Sequence, residues 1–318
     1  MRILMWHVHG SWTSSFVQGN HTYLLPVVED RGPEGRGRAR TWNWPTSAVE
    51  VTPEDLAATD IDVIVLQRPI DEDLADQWLG GRKLGRDVPV VWLEHNAPQG
   101  RVADMRHTAA DRRDVTVVHV THTNELFWDC GTTPTRVIEH GIPDPGDQYS
   151  GELPHAAVVV NEPERRGRVV GADLLPRFAE HTPIDMFGMA TATLADRLGF
   201  GGEQDLDQPS LHQAMARRRV YLHPFRWTSL GLSLLEAMSL GMPIVALATT
   251  EVPESVPSSA GVVTNRLDDA CAALRHFINE PEAARRAGQE ARRSALERFG
   301  LKRFLDDWDV LLSEVVAT

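Results

Sequence analysis

The stretch YLHPFRWTSLGLSLLEAMSLGMPIVA, residues 221–246, decides the fold. An apolar strand over 220–223 runs into a loop carrying Pro224, Arg226 and Trp227, then an amphipathic helix over about 229–240 and a second strand at 243–247. Gly241 stands where a left-handed cap ends a helix, and Pro243, which has no amide hydrogen, prevents another turn. Strand, helix and strand in this order predict a βαβ unit and hence a parallel sheet. Thr228 or Ser229 is placed to cap the helix, and Gly231 leaves the backbone bare. The free N–H groups from Ser229 through Leu230 and Gly231 to Leu232 then form an anion site. Glu236 is the only ionisable side chain between Arg226 and Glu251 and is set among leucines, so its carboxylate needs partners. From Thr228 to Glu236 a helix rises roughly 12 Å and returns to nearly the same face. That spacing suits a ligand with a phosphate at the helix start and a ribose further down.

These residues resemble the retaining glycosyltransferases of the GT-B fold, family 4 in particular. That family carries E-x-F-G-L-x-x-L-E-A-M-x-x-G-x-P-V-V-A where this chain has T-S-L-G-L-S-L-L-E-A-M-S-L-G-M-P-I-V-A. Gly231, Leu232, Leu235, Glu236, Ala237, Met238, Gly241, Pro243, Val245 and Ala246 fall on the pattern, and Thr228 replaces the first Glu. The resemblance implies a short α/β variant with two Rossmann-like domains whose parallel sheets face a central cleft, and a last helix packing back on the first domain. It implies residues 1–145 as the acceptor side, 146–300 as the nucleotide-sugar side and 301–318 as the returning helix. It also implies that Glu236 holds the ribose. The first Glu contacts the transferred sugar in the family, so Thr228 or another group such as His95, Arg226 or Trp227 takes that part here.

Composition limits the alternatives. A chain of 318 residues exceeds one ordinary core, and 42% hydrophobic with 24% charged residues reads as globular. No apolar run approaches the roughly 20 residues of a membrane helix, and no signal peptide is read at the N-terminus. The expectation is a cytoplasmic protein with no transmembrane segment. Two cysteines, Cys130 and Cys271, support neither a disulfide framework nor a cysteine metal site. A net charge of −13 argues against nucleic acid as a partner.

In chain order, a first strand over 2–8 ends in HVHGSWTSSF, where His9, Gly10, Ser11 and Trp12 are candidates for ligand contact at the sheet edge. The long helix that the family places next is missing or vestigial, since residues 21–28 read as the next strand. Residues 29–40 read as a mobile loop. Strands at 48–51, 62–67, 89–93 and 116–120 alternate with helices near 53–59, 71–80 and 122–130. The resemblance implies that His95, after the strand at 89–93, faces the donor sugar or its phosphate. It also sets His140 where the family has Asn.

Residues 144–153 are rich in turn formers and read as the linker, after which a strand at 156–160 restarts the pattern. Arg165, Arg166 and Arg168 in the following loop stand where the family holds the diphosphate with Arg and Lys, and their order of importance is left open. A strand over 184–188 brings Gly188 to the ligand edge, and a helix over 211–218 follows. Glu254 remains from the family's Gly-Gly-x-x-Glu turn, and helices at 268–279, 281–298 and 301–315 end the chain.

The main reading is a retaining, metal-independent glycosyltransferase moving a sugar from a nucleotide diphosphate sugar to a small-molecule, glycan or lipid-linked acceptor. It needs no cofactor. His95, Glu236 and Arg166 are its catalytic candidates. One alternative is an inactive nucleotide-sugar binder, motivated by Thr228. Another is a metal-dependent amidohydrolase-like barrel, motivated by His7-x-His9.

Overall fold

Short aliphatic runs such as VIVL at Val63–Leu66 bury every side chain, as strands in the middle of a parallel sheet must when both faces are covered. The computed structural model, which describes residues 1–317, forms two compact units: residues 1–141 together with the chain from Leu301, and Ile142–Gly300. The first contains β1 (Arg2–Met5), β2 (Thr22–Pro26), β3 (Ala48–Val51), β4 (Val63–Leu66), β5 (Val90–Glu94), β6 (Val115–His119) and β7 (Thr135–Val137). They lie in the order β3-β2-β1-β4-β5-β6-β7, all parallel. Its helices include α1 (Gly10–Phe16), α2 (Pro53–Leu56), α3 (Pro69–Trp78) and α4 (His122–Phe127). From central β1 the chain winds outward to β2 and β3, then returns to β4. The loops after β1 and β4 therefore diverge at the carboxyl edge, where open α/β sheets take ligands.

The second unit carries β8 (Leu153–Val159), β9 (Ile184–Phe187), β10 (Arg218–His223), β11 (Ile244–Ala246) and β12 (Gly261–Val263), parallel in the order β12-β11-β10-β8-β9. Its helices are α5 (Pro163–Arg166), α6 (Leu175–Ala179), α7 (Ala192–Leu198), α8 (Gln208–Ala216), α9 (Leu232–Leu240), α10 (Val252–Ser255), α11 (Leu267–Asn279) and α12 (Pro281–Phe299). Alternation along the strands feeds two cores. Ala157, Val159 and Tyr221 join α9, whereas Ala156, Val158, Val220 and Leu222 join α11. The switch point here lies between β8 and β10, so the loops after those two strands flank the ligand edge of this sheet. Two open parallel sheets overturn the barrel alternative.

Three readings are corrected. Helix α9 begins at Leu232 rather than near 229: Gly231 is its N-cap, with extended ψ of 120°, and no side chain caps it. A Cβ on Gly231 would lie 2.7 Å from His223 Cε1, so the chain passes the imidazole only as glycine. The long helix read as missing or vestigial after β1 is the seven-residue α1. Trp12 and Phe16, one turn apart, bury against Phe304 and Trp308 of α13 (Leu301–Ala317) in edge-on aromatic contacts.

The 29–40 loop is tied down rather than free. Arg31 donates to both oxygens of Glu50 at 2.7 and 2.9 Å, and Arg38 donates to the carbonyls of Trp44, Pro45 and Ala48. Finally, β7, β12 and α7 are elements that the sequence reading omits; at three residues each, the two strands are too short to show periodicity. Among the described residues no helix is long and apolar enough to cross a membrane.

Candidate functional site

In the second unit the loops after β8 and β10 are stitched together. Both Arg226 N and Trp227 N donate to Val169 O, at 2.9 and 3.2 Å. The Arg226 guanidinium donates to Arg168 O at 2.9 Å and to the Asp173 carboxylate, which holds the Asp173 carboxyl below the usual range. Gly188, at φ 118°, closes the neighbouring turn. A Cβ there would lie 2.2 Å from Val160 O, so the loops after β8 and β9 touch only through glycine.

The three arginines of the β8 loop separate on contact. Arg165 is held by the Glu162 carboxylate, and Arg168 by Asp173 at 3.0 Å. Arg166 is partly buried, and its guanidinium has no hydrogen bond or ion pair among the described residues. Burial, with Arg165 beside it, pushes its pKa down. A cation in this state is stabilised by an arriving anion more than its paired neighbours are.

Glu236 lies in the middle of α9 and is 5% exposed. Gln208 Nε2 donates to its Oε1 at 3.1 Å, and His212 Nε2 stands 3.6 Å from its Oε2. Gln208 and His212 are four residues apart on α8, hence on one face. A carboxylate has about four lone-pair positions, so these partners leave acceptor capacity unused. Below the helix start, His223 is fully buried with neither ring nitrogen bonded, and burial pushes its pKa to about 3. It is neutral at pH 7 and leaves the partial positive charge of the helix N-terminus unaltered.

The first unit brings His9, His95 and His140 to one edge, after β1, β5 and β7. The His9 and His95 rings have centroids 4.0 Å apart. Gln67 Nε2 donates to Trp6 O at 2.6 Å, which turns its Oε1 toward His95 Nε2 at 3.1 Å. His95 therefore donates from Nε2 and keeps a lone pair on Nδ1 when neutral. Burial, then His9 and His140, hold its pKa well below the ordinary value. Burial, then Arg68 and Arg36, push His9 to about 4; burial, then His9 and Arg303, push His140 to about 3. All three imidazoles are neutral near pH 7. Among the described residues no group of three His, Cys, Asp or Glu side chains is placed to hold a metal ion.

Several candidates change meaning. Trp12 is 1% exposed and packs in the aromatic core, so its side chain is not at a ligand surface. The side chains of Leu230 and Leu232 also pack in the core, which leaves only their backbone to a ligand. Ser11 is partly exposed, its carbonyl accepting from the Ser15 hydroxyl at 3.4 Å, and Gly10 opens α1 beside the Trp42 indole. Thr228 lies outside α9, and Ser229 is buried with its hydroxyl unbonded, so neither caps the helix. The eight-residue helical spacing fails with them: Glu236 stands four residues past Leu232, roughly 6 Å along the axis. Glu254 is exposed. The buried acid of that turn is Glu251, with Arg298 Nη2 at 3.7 Å, and Thr250 takes the positive φ of 48° that a glycine would accept more readily.

Gln208, His212 and Asp173 join these sites although the sequence reading singles out none of them, and His140, which it sets where the family has Asn, joins the histidine edge. Only the first two had a readable signal, their spacing of four on one helix.

Comparison with known proteins bears on the fold. Residues 189–294, which include α8, α9 and Glu236, match the family model of glycosyl transferases group 1. No curated protein sequence matches the chain. Sucrose-phosphate synthase from Thermosynechococcus elongatus superposes with a TM-score of 0.73 at 13% identity, covering 100% of this chain and 99% of that one. Anabaena HepE, in complex with UDP, does so at 0.70 and 14%, covering 99% and 100%. Staphylococcus aureus TarM is similar at 0.60 and 13%, over 79% of this chain, which spans only 55% of TarM. The chain thus has the GT-B fold, and within its second unit residues 189–294 are similar to the glycosyl transferases group 1 model.

Proposed function

We propose that this protein is a glycosyltransferase that takes a sugar from a nucleoside diphosphate sugar and passes it to an acceptor, with retention and without a divalent cation. The observation that carries the reading is the pairing, at one switch point, of a buried carboxylate with spare acceptor capacity and a half-buried guanidinium with no partner. Glu236 accepts the ribose hydroxyls. Arg166 and the bare N–H groups at the start of α9 receive the diphosphate. As the glycosidic bond breaks, charge accumulates on the leaving phosphate, and groups fixed beforehand stabilise it without reorganising. In the first unit His95 Nδ1, held as an acceptor by the Gln67 contact, positions a hydroxyl of sugar or acceptor. Thr228 offers one neutral hydroxyl where the family has a carboxylate, so sugar selection rests on other groups.

HepE has been crystallised with UDP and with UDP-glucose, which makes uridine the first base to try. A thermal-shift panel of UDP, GDP, ADP and dTDP with their sugars, run in EDTA and in Mg²⁺, is expected to single out one nucleotide equally in both. Ligand at about 100 times its dissociation constant adds about 2.7 kcal/mol of stability. No shift from any nucleotide, or a shift only with metal, would sink the reading. Binding without consumption of any donor would instead support a nucleotide-sugar-binding protein, the alternative that Thr228 favours.

Glu236→Gln keeps the size and removes the charge. Hydrogen bonds to a charged acceptor are worth roughly 1.5 to 3 kcal/mol, so nucleotide affinity is expected to fall about tenfold or more with an unchanged circular dichroism spectrum. Equal affinity in a folded variant assigns the ribose elsewhere.

A further inference from the structure

The first unit contains a cavity of about 570 Å³ that the donor chemistry leaves unused, lined among others by His7, Arg36, Arg40 and Trp42. The loop forming it is built, not loose. Arg31 is committed to Glu50 and Arg38 to three carbonyls, while Arg36 pairs with Val27 in a backbone bridge. Arg36 and Arg40 are different, because neither guanidinium has a hydrogen bond or ion pair among the described residues. Glu29 and Asp30 also line the cavity without forming an ion pair with either. A second cavity, in the other unit, shows the contrast: its Arg285, Arg292 and Arg293 all have acidic partners.

His7 adds an opposite kind of group. Its Nδ1 lies 3.1 Å from Gly37 O, and burial, then Arg36, lower its pKa, so it is a neutral imidazole with Nδ1 as donor and Nε2 as acceptor. Trp42 supplies an aromatic surface; its indole nitrogen would be 3.7 Å from a Cβ on Gly10. The cavity also borders the histidine edge, since Arg36 acts electrostatically on both His7 and His9. Two free guanidiniums, one neutral acceptor and an indole together match a small polyol that carries an oxyanion. The guanidiniums take the anion, the imidazole accepts from a hydroxyl, and the indole covers the ring.

We propose that the cavity of His7, Arg36, Arg40 and Trp42 is the acceptor subsite and that the acceptor is a polyol or sugar bearing a phosphate or carboxylate group. The acceptor role rests on the glycosyltransferase reading; the anion-binding role does not. The full-length protein is titrated calorimetrically with glucose 6-phosphate, glucuronate and glucose. At least one anionic sugar is expected to bind roughly tenfold or more tightly than glucose, and which one does so separates phosphate from carboxylate. Arg36→Ser/Arg40→Ser is expected to abolish that preference and to leave the affinity for UDP within about twofold, while Arg166→Ala leaves the anionic-sugar affinity unchanged.

The assignment is overturned if glucose binds as well as both anionic sugars, or if the double variant keeps the preference. A preference lost in Arg166→Ala alone also overturns it, because the probe then sits in the second unit. If no nucleotide binds the wild type while the anion preference persists and needs Arg36 and Arg40, the donor reading fails and the anion site stands.

Discussion

Arg166→Ala is expected to lower the affinity for the nucleoside diphosphate by roughly tenfold to a hundredfold. A charge-assisted hydrogen bond is worth about 1.5 to 3 kcal/mol, and each 1.4 kcal/mol is a factor of ten. The ligand-free variant should be no less stable than wild type, because the guanidinium is half buried, has no hydrogen bond or ion pair among the described residues, and has its pKa lowered by burial. Arg165→Ala and Arg168→Ala are the internal controls. Their charges already meet Glu162 and Asp173 in exposed pairs, and drawing them to phosphate would break those contacts. Each is expected to change affinity less than threefold. Calorimetric titration of the three variants decides the matter: equal losses would make the loop a diffuse positive field, and no loss at Arg166 would take the diphosphate away from it.

The ranking of these arginines shows where sequence stops. Position and charge bring all three to the end of β8, and nothing in RRGR orders them. The order comes from Asp173, five residues beyond Arg168, which also binds Arg226 across 53 residues of chain. Spacing did reveal the βαβ unit around Glu236, because a run of leucines closed by Gly241 and Pro243 admits few other structures. It misjudged the helix start because the determining contact, Gly231 against His223, is made across the strand–helix loop.

Trp12 was misread for a related reason. A polar, glycine-containing segment after a strand has the composition of a ligand loop, yet the four-residue interval to Phe16 gives a buried face whose partners lie on α13, nearly 300 residues away. The edge with His9, His95 and His140 required the strand order, since β1, β5 and β7 are not neighbours in sequence or in the sheet.

The buried imidazoles give the second large effect: lowering the pH from 7 to 5 is expected to destabilise the protein steeply. His119, His140 and His223 are 0%, 3% and 0% exposed, and burial pushes their pKa values to about 4, 3 and 3. Unfolded, each returns to about 6.5. Below that pH the unfolded chain takes up protons that the folded chain refuses, so stability is present above about 6.5 and is lost as the pH falls toward 4. Each group contributes at most about 1.4 kcal/mol per pH unit, together roughly 4, against a typical total of 5 to 15 kcal/mol.

Neighbouring charge does not rescue them. His140 has His9 and Arg303 nearby, His119 has His107, and Cys130 Sγ, 3.6 Å from His119 Nε2, is a thiol that burial keeps protonated. Asp173 and Asp144, whose carboxyls Arg226 and Arg292 hold below the ordinary range, add their own loss only at lower pH. Urea denaturation at pH 7.5, 6.0 and 5.0 measures the slope, and His140→Asn should flatten it by about one proton. A stability that stays level from pH 7 to 5 would mean that the folded protein accepts these protons, through opening of the histidine edge or of the His223 pocket. The neutral imidazoles assigned to both sites would then be charged.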